Sequence, residues 1–253
     1  MAKSTRRRTR ARLLLAFLLA IGVPLSLLGF VWLVTLPDVP ALEKTNPATT
    51  ALMEARVTKA REQGRPFKPH WTWVPLTRIS PHLQRAVVAA EDASFFTHEG
   101  FDWEGIKDAA LRNLEAGEMQ RGGSTITQQL AKNLYLSPER SLFRKAREAL
   151  IARSLEHHLS KERILELYLN VAEWGRGIYG AEAAAHHHFR KPAKDLSAEE
   201  AALLAAILPS PRRYDPIHTT TYLVRRQHRI LRWMNRNSGE PTGMVHPASD
   251  RSR

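Results

Sequence analysis

Glu91 and Asp92 stand side by side in the stretch EDASFFTHEG, ahead of Phe95, Phe96, His98 and Gly100. A carboxylate at the edge of an apolar cleft can have its proton affinity raised and then serve as an acid or a base. The plainer reading makes the pair a solvated turn, with the two phenylalanines plugging a core below it. Further along, Gln129 and Lys132 are three apart in STITQQLAKNLYL, so they share one face if that stretch is helical. Just before them Gly122 and Gly123 lead into Ser124, Thr125 and Thr127. Free backbone N–H groups and hydroxyls converging at the positive end of a helix could hold an anion there. A glycine turn followed by a solvated polar face would look the same. In FRKAREAL, Lys145 and Glu148 are three apart and Arg144 and Glu148 four apart, a spacing that ordinary surface ion pairs also show.

The elements that must position these groups are helices almost throughout. Ser80 and Pro81 open a helix on which Leu83, Ala86, Val87 and Ala90 fall on one face. Glu91 ends it, where the helix dipole disfavours negative charge and pushes a carboxylate pKa upward. FDWEGIKDAALRNLEAG reads as a second helix, with Asp102 as cap, Ile106, Ala109, Ala110 and Leu114 inward, and Gly117 as terminator. STITQQLAKNLYL is a third, and a long helix opening with Ser137 and Pro138 follows. SKERILELYLN, GAEAAAHHHF and SAEEAALLAAIL complete the series, the last with a capping box of Ser197 and Glu200. Gly175, Gly177 and Gly180 lie between two helices, as suits a tight loop packed close to another backbone. No strand-like alternation runs longer than HWTWVPL, residues 70–76, so the expected class is all-α with irregular connections. The rings of the HHH run at 186–188 diverge by about 100° per helix position and cannot close on one ion. YLVRRQHRILRWMNR is basic, which suits a solvated helix face or anionic headgroups.

The formal charge of the 253-residue chain is +13, a balance that in general suggests nucleic acid or an anionic membrane as partner. Lys3, Arg6, Arg7, Arg8, Arg10 and Arg12 contribute to it as a targeting cluster, and no nucleic-acid partner is expected. The absence of cysteine excludes disulfides, thiolate chemistry and cysteine metal sites. After the basic cluster, residues 13–36 are uncharged and long enough to cross a hydrocarbon core of roughly 30 Å. PDVPALEK follows in place of a small-residue cleavage site, so an uncleaved anchor is favoured over a signal peptide. The positive-inside tendency leaves residues 1–12 cytoplasmic and everything after the span on the other side. The expected organisation is a basic N-terminus at 1–12, an anchor at 13–36, a membrane-proximal segment at 37–69, the working domain at 70–236 and a disordered tail at 237–253.

Five stretches taken together resemble one family: EDASFFTHEGFDW, RGGSTITQQLAKNLYL, RKAREALIARSLEHHLSKERILELYLN, GRGIYGAEAAAHHHFRK and LSAEEAALLAAILPSPRRYDP. In order and spacing they are similar to the successive blocks of the peptidoglycan glycosyltransferases, the family shared with the N-terminal halves of bifunctional penicillin-binding proteins. The Ser-x-x-Lys, Ser-x-Asn and Lys-Thr-Gly set of a penicillin-binding domain does not follow. The resemblance implies a lysozyme-like helical domain with a small membrane-proximal lobe between the first two blocks, for whose apolar surface Phe101, Trp103, Ile106, Leu111 and Leu114 are candidates; Ile106 and Leu114 are better read as core. It also implies polymerisation of lipid II into β-1,4-linked glycan with inversion at the donor anomeric carbon and release of undecaprenyl pyrophosphate. In that scheme Glu91 is the general base and Glu148 the second essential carboxylate. Ser124, Thr125, Gln129, Lys132, Arg140, Arg144 and Lys145 bind the donor and its pyrophosphate. Asp92, Phe95, His98, Gly100, Gly122, Gly123, Asn170, Gly175, Gly177 and Gly180 belong to the structural motif. Glu148 holds the cations or a divalent metal, Mg or Mn, in place. The implied partners are lipid II, the growing lipid-linked glycan, the membrane and other wall-synthesis or division proteins, at a bacterial inner membrane with the catalytic domain periplasmic. A lysozyme-like muramidase and a non-catalytic tethered scaffold are the rivals. A hydrolase has no need of the cations around Lys132 and Lys145, and a scaffold leaves Glu91 and Glu148 without purpose.

Overall fold

The computed structural model describes residues 35–107, 123–139 and 141–236, with positions 17, 20, 22–24 and 26 ahead of them. The expected anchor lies almost wholly outside the described residues, as do the basic N-terminus and the tail. Among the described residues no helix is long and apolar enough to cross a membrane. The unit that carries the polar motifs begins at Val39. In chain order its helices are α1 (Ala51–Glu62), α2 (Pro81–Glu91), α3 (Ile126–Tyr135), α4 (Leu142–His158), α5 (Lys161–Val171), α6 (Ala181–Phe189), α7 (Ala198–Ile207) and α8 (Thr221–Arg236). Residues 103–107 are also helical, and Asp102 caps them by accepting the Gly105 N–H at 2.7 Å. That bond is the first cause of the lowered Asp102 pKa, and the Ser94 hydroxyl adds to it.

Several helix starts follow the sequence closely because a hydroxyl caps them. Ser80, Thr125, Ser160 and Ser197 accept a first-turn N–H of α2, α3, α5 and α7, and Glu200 completes the capping box of α7. One start differs from expectation. α4 opens at Leu142, where Ser141 accepts the Arg144 N–H at 3.0 Å, so Ser137 and Pro138 belong to the connection and not to the helix.

α3 is the central element, with Ile126, Leu130 and Ala131 fully buried between α1, α4 and α5. α2 packs against α7 and α8, which also pack on each other. Residues 39–62, set apart in the sequence as membrane-proximal, are part of this unit. Val39, Leu42 and Met53 are buried, and Arg163 donates to the carbonyls of Leu42 and Thr45, each at 2.8 Å.

The fold is mostly helical, but it also holds a small sheet that an all-α reading leaves out. β1 (His70–Trp71) runs parallel to β3 (Ile178–Tyr179), which pairs antiparallel with β2 (Glu173–Gly175) in the order β1-β3-β2. Strands of two and three residues are too short to show alternation in a sequence. Gly175 lies in β2, and Gly177 and Gly180 bracket β3. At Gly180, where φ is +81°, a Cβ would lie 2.8 Å from the Asn170 carbonyl oxygen. Asn170, wholly buried, holds the adjoining chain. Its side chain exchanges hydrogen bonds with the Val74 N–H (3.0 Å) and carbonyl (2.9 Å), and its own carbonyl accepts the Trp71 indole N–H at 2.7 Å.

Candidate active site

The chain leaves the helical conformation directly after Glu91. Asp92 caps α2 in a non-helical conformation, and its buried carboxylate accepts the Ile126 N–H of α3 at 2.9 Å. His98 Nε2 lies 2.9 Å from the same carboxylate, while His98 Nδ1 is 3.0 Å from the Gly100 N–H. Because Nδ1 accepts, Nε2 carries the proton and donates it to Asp92. Thr125 Oγ1 donates to the Gly100 carbonyl at 2.8 Å. Phe95 is fully buried below, and the Lys161 ammonium sits 4.6 Å over its ring and donates to the His98 carbonyl at 2.6 Å. The solvated-turn reading does not hold for Asp92, which is buried, whereas Phe95 does plug the core below it and Phe96 is half-buried. Asp92, Phe95 and His98 lock the end of α2 to the start of α3, and Glu91 is left facing a cleft.

That cleft has a volume of about 290 Å³. Ser124, Gln129, Lys132 and Arg226 line it beside Glu91, and Leu208 and Pro209 form an apolar wall. The Glu91 side chain is 12% exposed, enough to meet a substrate and little enough to be sheltered from bulk water. Gln129 Nε2 donates to Glu91 Oε2 at 2.9 Å, and Arg226 Nη2 donates to Oε1 at 3.0 Å. The Gln129 amide is oriented in turn by the Tyr168 hydroxyl, which donates to Gln129 Oε1 at 3.1 Å. Burial, with the charges of Glu91 and Asp92, raises the Tyr168 pKa well above its ordinary value, so the phenol keeps the proton it donates. A larger hollow of about 620 Å³ between α1 and Trp71 contains none of these groups.

A second polar cluster adjoins the first. Glu148 on α4 is only 3% exposed; Arg144 Nη1 lies 2.7 Å from its Oε2, and Lys145 Nζ pairs with its Oε1. These are not simple surface pairs, since the carboxylate is buried beneath its cations. Lys145, about half exposed, also reaches Ser124 Oγ at 3.3 Å, which ties α4 to the start of α3. Lys132 joins the clusters electrostatically. Burial lowers its pKa, helped by Arg144 and Lys145, while Glu148 and Glu91 both act to raise it.

Two expected ligands have other tasks. Thr125 is 2% exposed and is spent on capping α3 and on the Gly100 carbonyl. Thr127 is fully buried and donates to Glu156. The positive end of α3 therefore already holds an anion, the Asp92 carboxylate, and only Ser124 of the hydroxyl group faces the cleft. A metal at Glu148 does not fit the donors present, because each carboxylate oxygen already faces a cation that would repel a second positive charge. Among the described residues, no three His, Cys, Asp or Glu side chains are grouped for a metal. Arg140 and Gly122 lie outside the described residues. Gly123 packs against Ile106, its Cβ position 3.3 Å from that side chain, and Trp103 is 72% exposed; Leu111 and Leu114 are not described. The three adjacent histidines part ways, with His186 near Glu182 at 3.2 Å and His188 near the Trp174 carbonyl at 3.1 Å.

Sequence reasoning missed Tyr168 and Arg226. A signal for Arg226 existed: with Leu223, Ile230 and Met234 it falls on the buried stripe of α8, an inward position for a charged residue. The basic composition of that helix concealed it. For Tyr168, one of seven buried residues on α5, no local signal marks the hydroxyl's destination.

A family model described as Transglycosylase matches residues 57–235. The biosynthetic peptidoglycan transglycosylase of Laribacter hongkongensis is 53% identical over 190 residues, 75% of this chain and 83% of that protein. The proteins of that description from Azoarcus sp. and Janthinobacterium sp. are 52% and 48% identical, each covering 82% of the relative and 76% and 75% of this chain.

Proposed function

The chain belongs to the transglycosylase family and is a peptidoglycan glycosyltransferase, and from that premise we propose that Glu91 is its general base and the cations around Glu148 its leaving-group site. The observation that carries this reading is the Glu91 carboxylate, held by Gln129 at a cleft that Lys132 connects with the cluster of Arg144, Lys145 and Glu148. The 4-hydroxyl of the N-acetylglucosamine of lipid II, the acceptor, gives its proton to Glu91 and attacks C1 of the lipid-linked end sugar of the growing glycan. One O–C1 bond forms as the bond from C1 to the pyrophosphate oxygen breaks. An α-linked donor thus becomes a β-1,4 link in a single inverting displacement, with the base standing one oxygen away from the anomeric carbon.

Undecaprenyl pyrophosphate leaves as an anion and needs positive charge more than an acid. Lys132, Arg144 and Lys145 supply it. Glu148, buried beneath Arg144 and Lys145, holds those two cations in place, and Gln129 turns the base toward the acceptor. Both substrates carry lipid, so the working surface lies at the bilayer. Residues 13–36 anchor the chain in a bacterial inner membrane, the catalytic domain faces the periplasm, and the segment between the first two family blocks contributes the membrane-proximal lobe of a lysozyme-like architecture.

The test is incubation of the detergent-solubilised protein with labelled lipid II. A ladder of polymer is expected, and Glu91→Gln should lower its initial rate by at least about 10²-fold with the fold intact. Release of fragments from preformed glycan, or no turnover at all, would overturn the reading in favour of a hydrolase or a scaffold. Near-normal polymerisation by folded Glu91→Gln would remove that residue from the mechanism.

A further inference from the structure

We propose that Arg226 is a positioning residue for glycosyl transfer: from α8 it keeps the Glu91 carboxylate ionised and aimed into the cleft, so that the base is complete only when the C-terminal helix is docked. The inference rests on the reading of Glu91 as the base.

Arg226 is separated from Glu91 by 135 residues, so their contact is a product of tertiary packing and not of one helix face. Its side chain is 7% exposed, against 12% for Glu91. Arginine is almost never buried to that degree without a partner. Here Nη2 donates to Glu91 Oε1 at 3.0 Å and lies 3.3 Å from the Ala90 carbonyl at the end of α2. The buried residues Leu223, Ile230 and Met234 fix α8 on either side of it, and α8 packs on both α2 and α7. The guanidinium is thus delivered by the docked face of the helix.

Glu91 needs such a neighbour. It is the last residue of its helix, where the dipole disfavours negative charge, and it is mostly out of water, so both conditions favour the protonated form. A protonated carboxyl cannot take the acceptor's proton. A cation in direct contact opposes both conditions. Gln129 holds the other oxygen, so the plane of the carboxylate is set at both ends.

Other charged and titratable groups belong to the elements packed around the pair. Asp92 adjoins Glu91 on its own chain but is committed to His98 and Ile126. From α3, Lys132 shares its influence between Glu91 and Glu148. From α5, the Tyr168 phenol feels Glu91 and Asp92 in one direction and Arg226 in the other. On α8 itself, Arg225, His228 and Arg229 are exposed on the outer face. The carboxylates of α7, Glu199 and Glu200, lie in its first turn and are engaged with Ser197 and Lys191. Arg226 is a cation in direct hydrogen-bond contact with the base, and its removal changes the charge balance at that oxygen.

The experiment compares Arg226→Gln, Arg226→Lys and Glu91→Gln with the native chain, reading kcat and KM for lipid II across pH together with melting temperature. For Arg226→Gln we expect kcat to fall about 10²-fold, as when a reacting group is misplaced, with KM little changed. The acidic limb of the rate profile should move at least about one unit to higher pH. Arg226→Lys keeps the charge without the planar fork, so its limb should stay in place while kcat falls roughly 10-fold. A purely structural arginine would lower the melting temperature and leave the limb unmoved, and that result overturns the proposal. Should Arg226→Gln fail to fold, Arg226→Lys decides alone: native kcat overturns the positioning role, and reduced kcat at native KM supports it. Glu91→Gln separates the two levels. If it is active, the assignment of the base itself fails; if it is inactive while the Arg226 variants keep native kcat and limb, only the present inference does.

Discussion

Two carboxylates one residue apart have been given opposite tasks by their surroundings. Glu91 looks into the cleft, whereas Asp92 is consumed by His98 and the first N–H of α3. The same division separates Lys132 and Lys145 from Glu148. Lys132 lines the cleft, Lys145 reaches Ser124 at its wall, and Glu148 is the buried carboxylate that pairs with Lys145 and Arg144. Lys132→Ala or Lys145→Ala should therefore lower the initial rate of lipid II polymerisation by about 10² to 10³, as when one electrostatic stabiliser is lost. Lys145 is half exposed, and its loss should leave the melting temperature almost unchanged. Glu148→Gln should behave differently. It leaves Arg144 and Lys145 facing a neutral amide, so both rate and stability should fall, the latter by about 1–3 kcal/mol. Equal melting temperatures for Glu148→Gln and the native chain, read by calorimetry, would contradict its role as the holder of the cations.

Elements matter here mainly through their ends. The last residue of α2 meets the first turn of α3 through Asp92, and the start of α3 meets α4 through Ser124 and Lys145. Glu91, Ser124 and Lys145 thus lie at or near three helix termini, where a side chain is carried by rigid backbone yet can still reach a cleft. The Gly-rich hairpin works at a distance from this site. It lets β3 approach Asn170, whose side chain holds the Val74 segment and whose carbonyl receives Trp71. Gly180→Ala should destabilise the protein by about 1–3 kcal/mol, because a positive φ is strained for any residue with a Cβ and the new methyl meets the Asn170 carbonyl. Chemical denaturation measures this directly. A change within a few tenths of a kcal/mol would mean the hairpin can shift without cost.

At the scale of the whole molecule, stability should depend on pH through His188. The ring is buried next to the Trp174 carbonyl, and burial lowers its pKa below the ordinary value, with His187 adding to the effect. In the unfolded chain the same imidazole takes up its proton near pH 6.5. Below that pH the unfolded state binds more protons than the folded one, so stability is full above about 6.5 and falls as pH drops toward the lowered folded value. The melting temperature should decline between about pH 7 and 5. His188→Gln, which keeps an N–H for the Trp174 carbonyl and cannot titrate, should flatten that decline. An unchanged slope in the variant would assign the pH dependence to other groups.

Much of this protein was determined by its sequence alone, for a physical reason. Helix caps, 3.6-residue periodicity and i,i+3 or i,i+4 pairs are local, so the starts of α2, α3, α5 and α7 and the grouping of Arg144, Lys145 and Glu148 follow from neighbours a few positions away. Five blocks in order were enough to identify the family. Tertiary structure decided what is non-local. The start of α4 depended on which of two serines could cap it, the three-stranded sheet on strands brought together from residues 70 and 178, and the fate of Thr125 on a carbonyl 25 residues away. Arg226 illustrates the limit most clearly. Its spacing on α8 says that it points inward, but only the packing of α8 against α2 determines that Glu91 is what it meets.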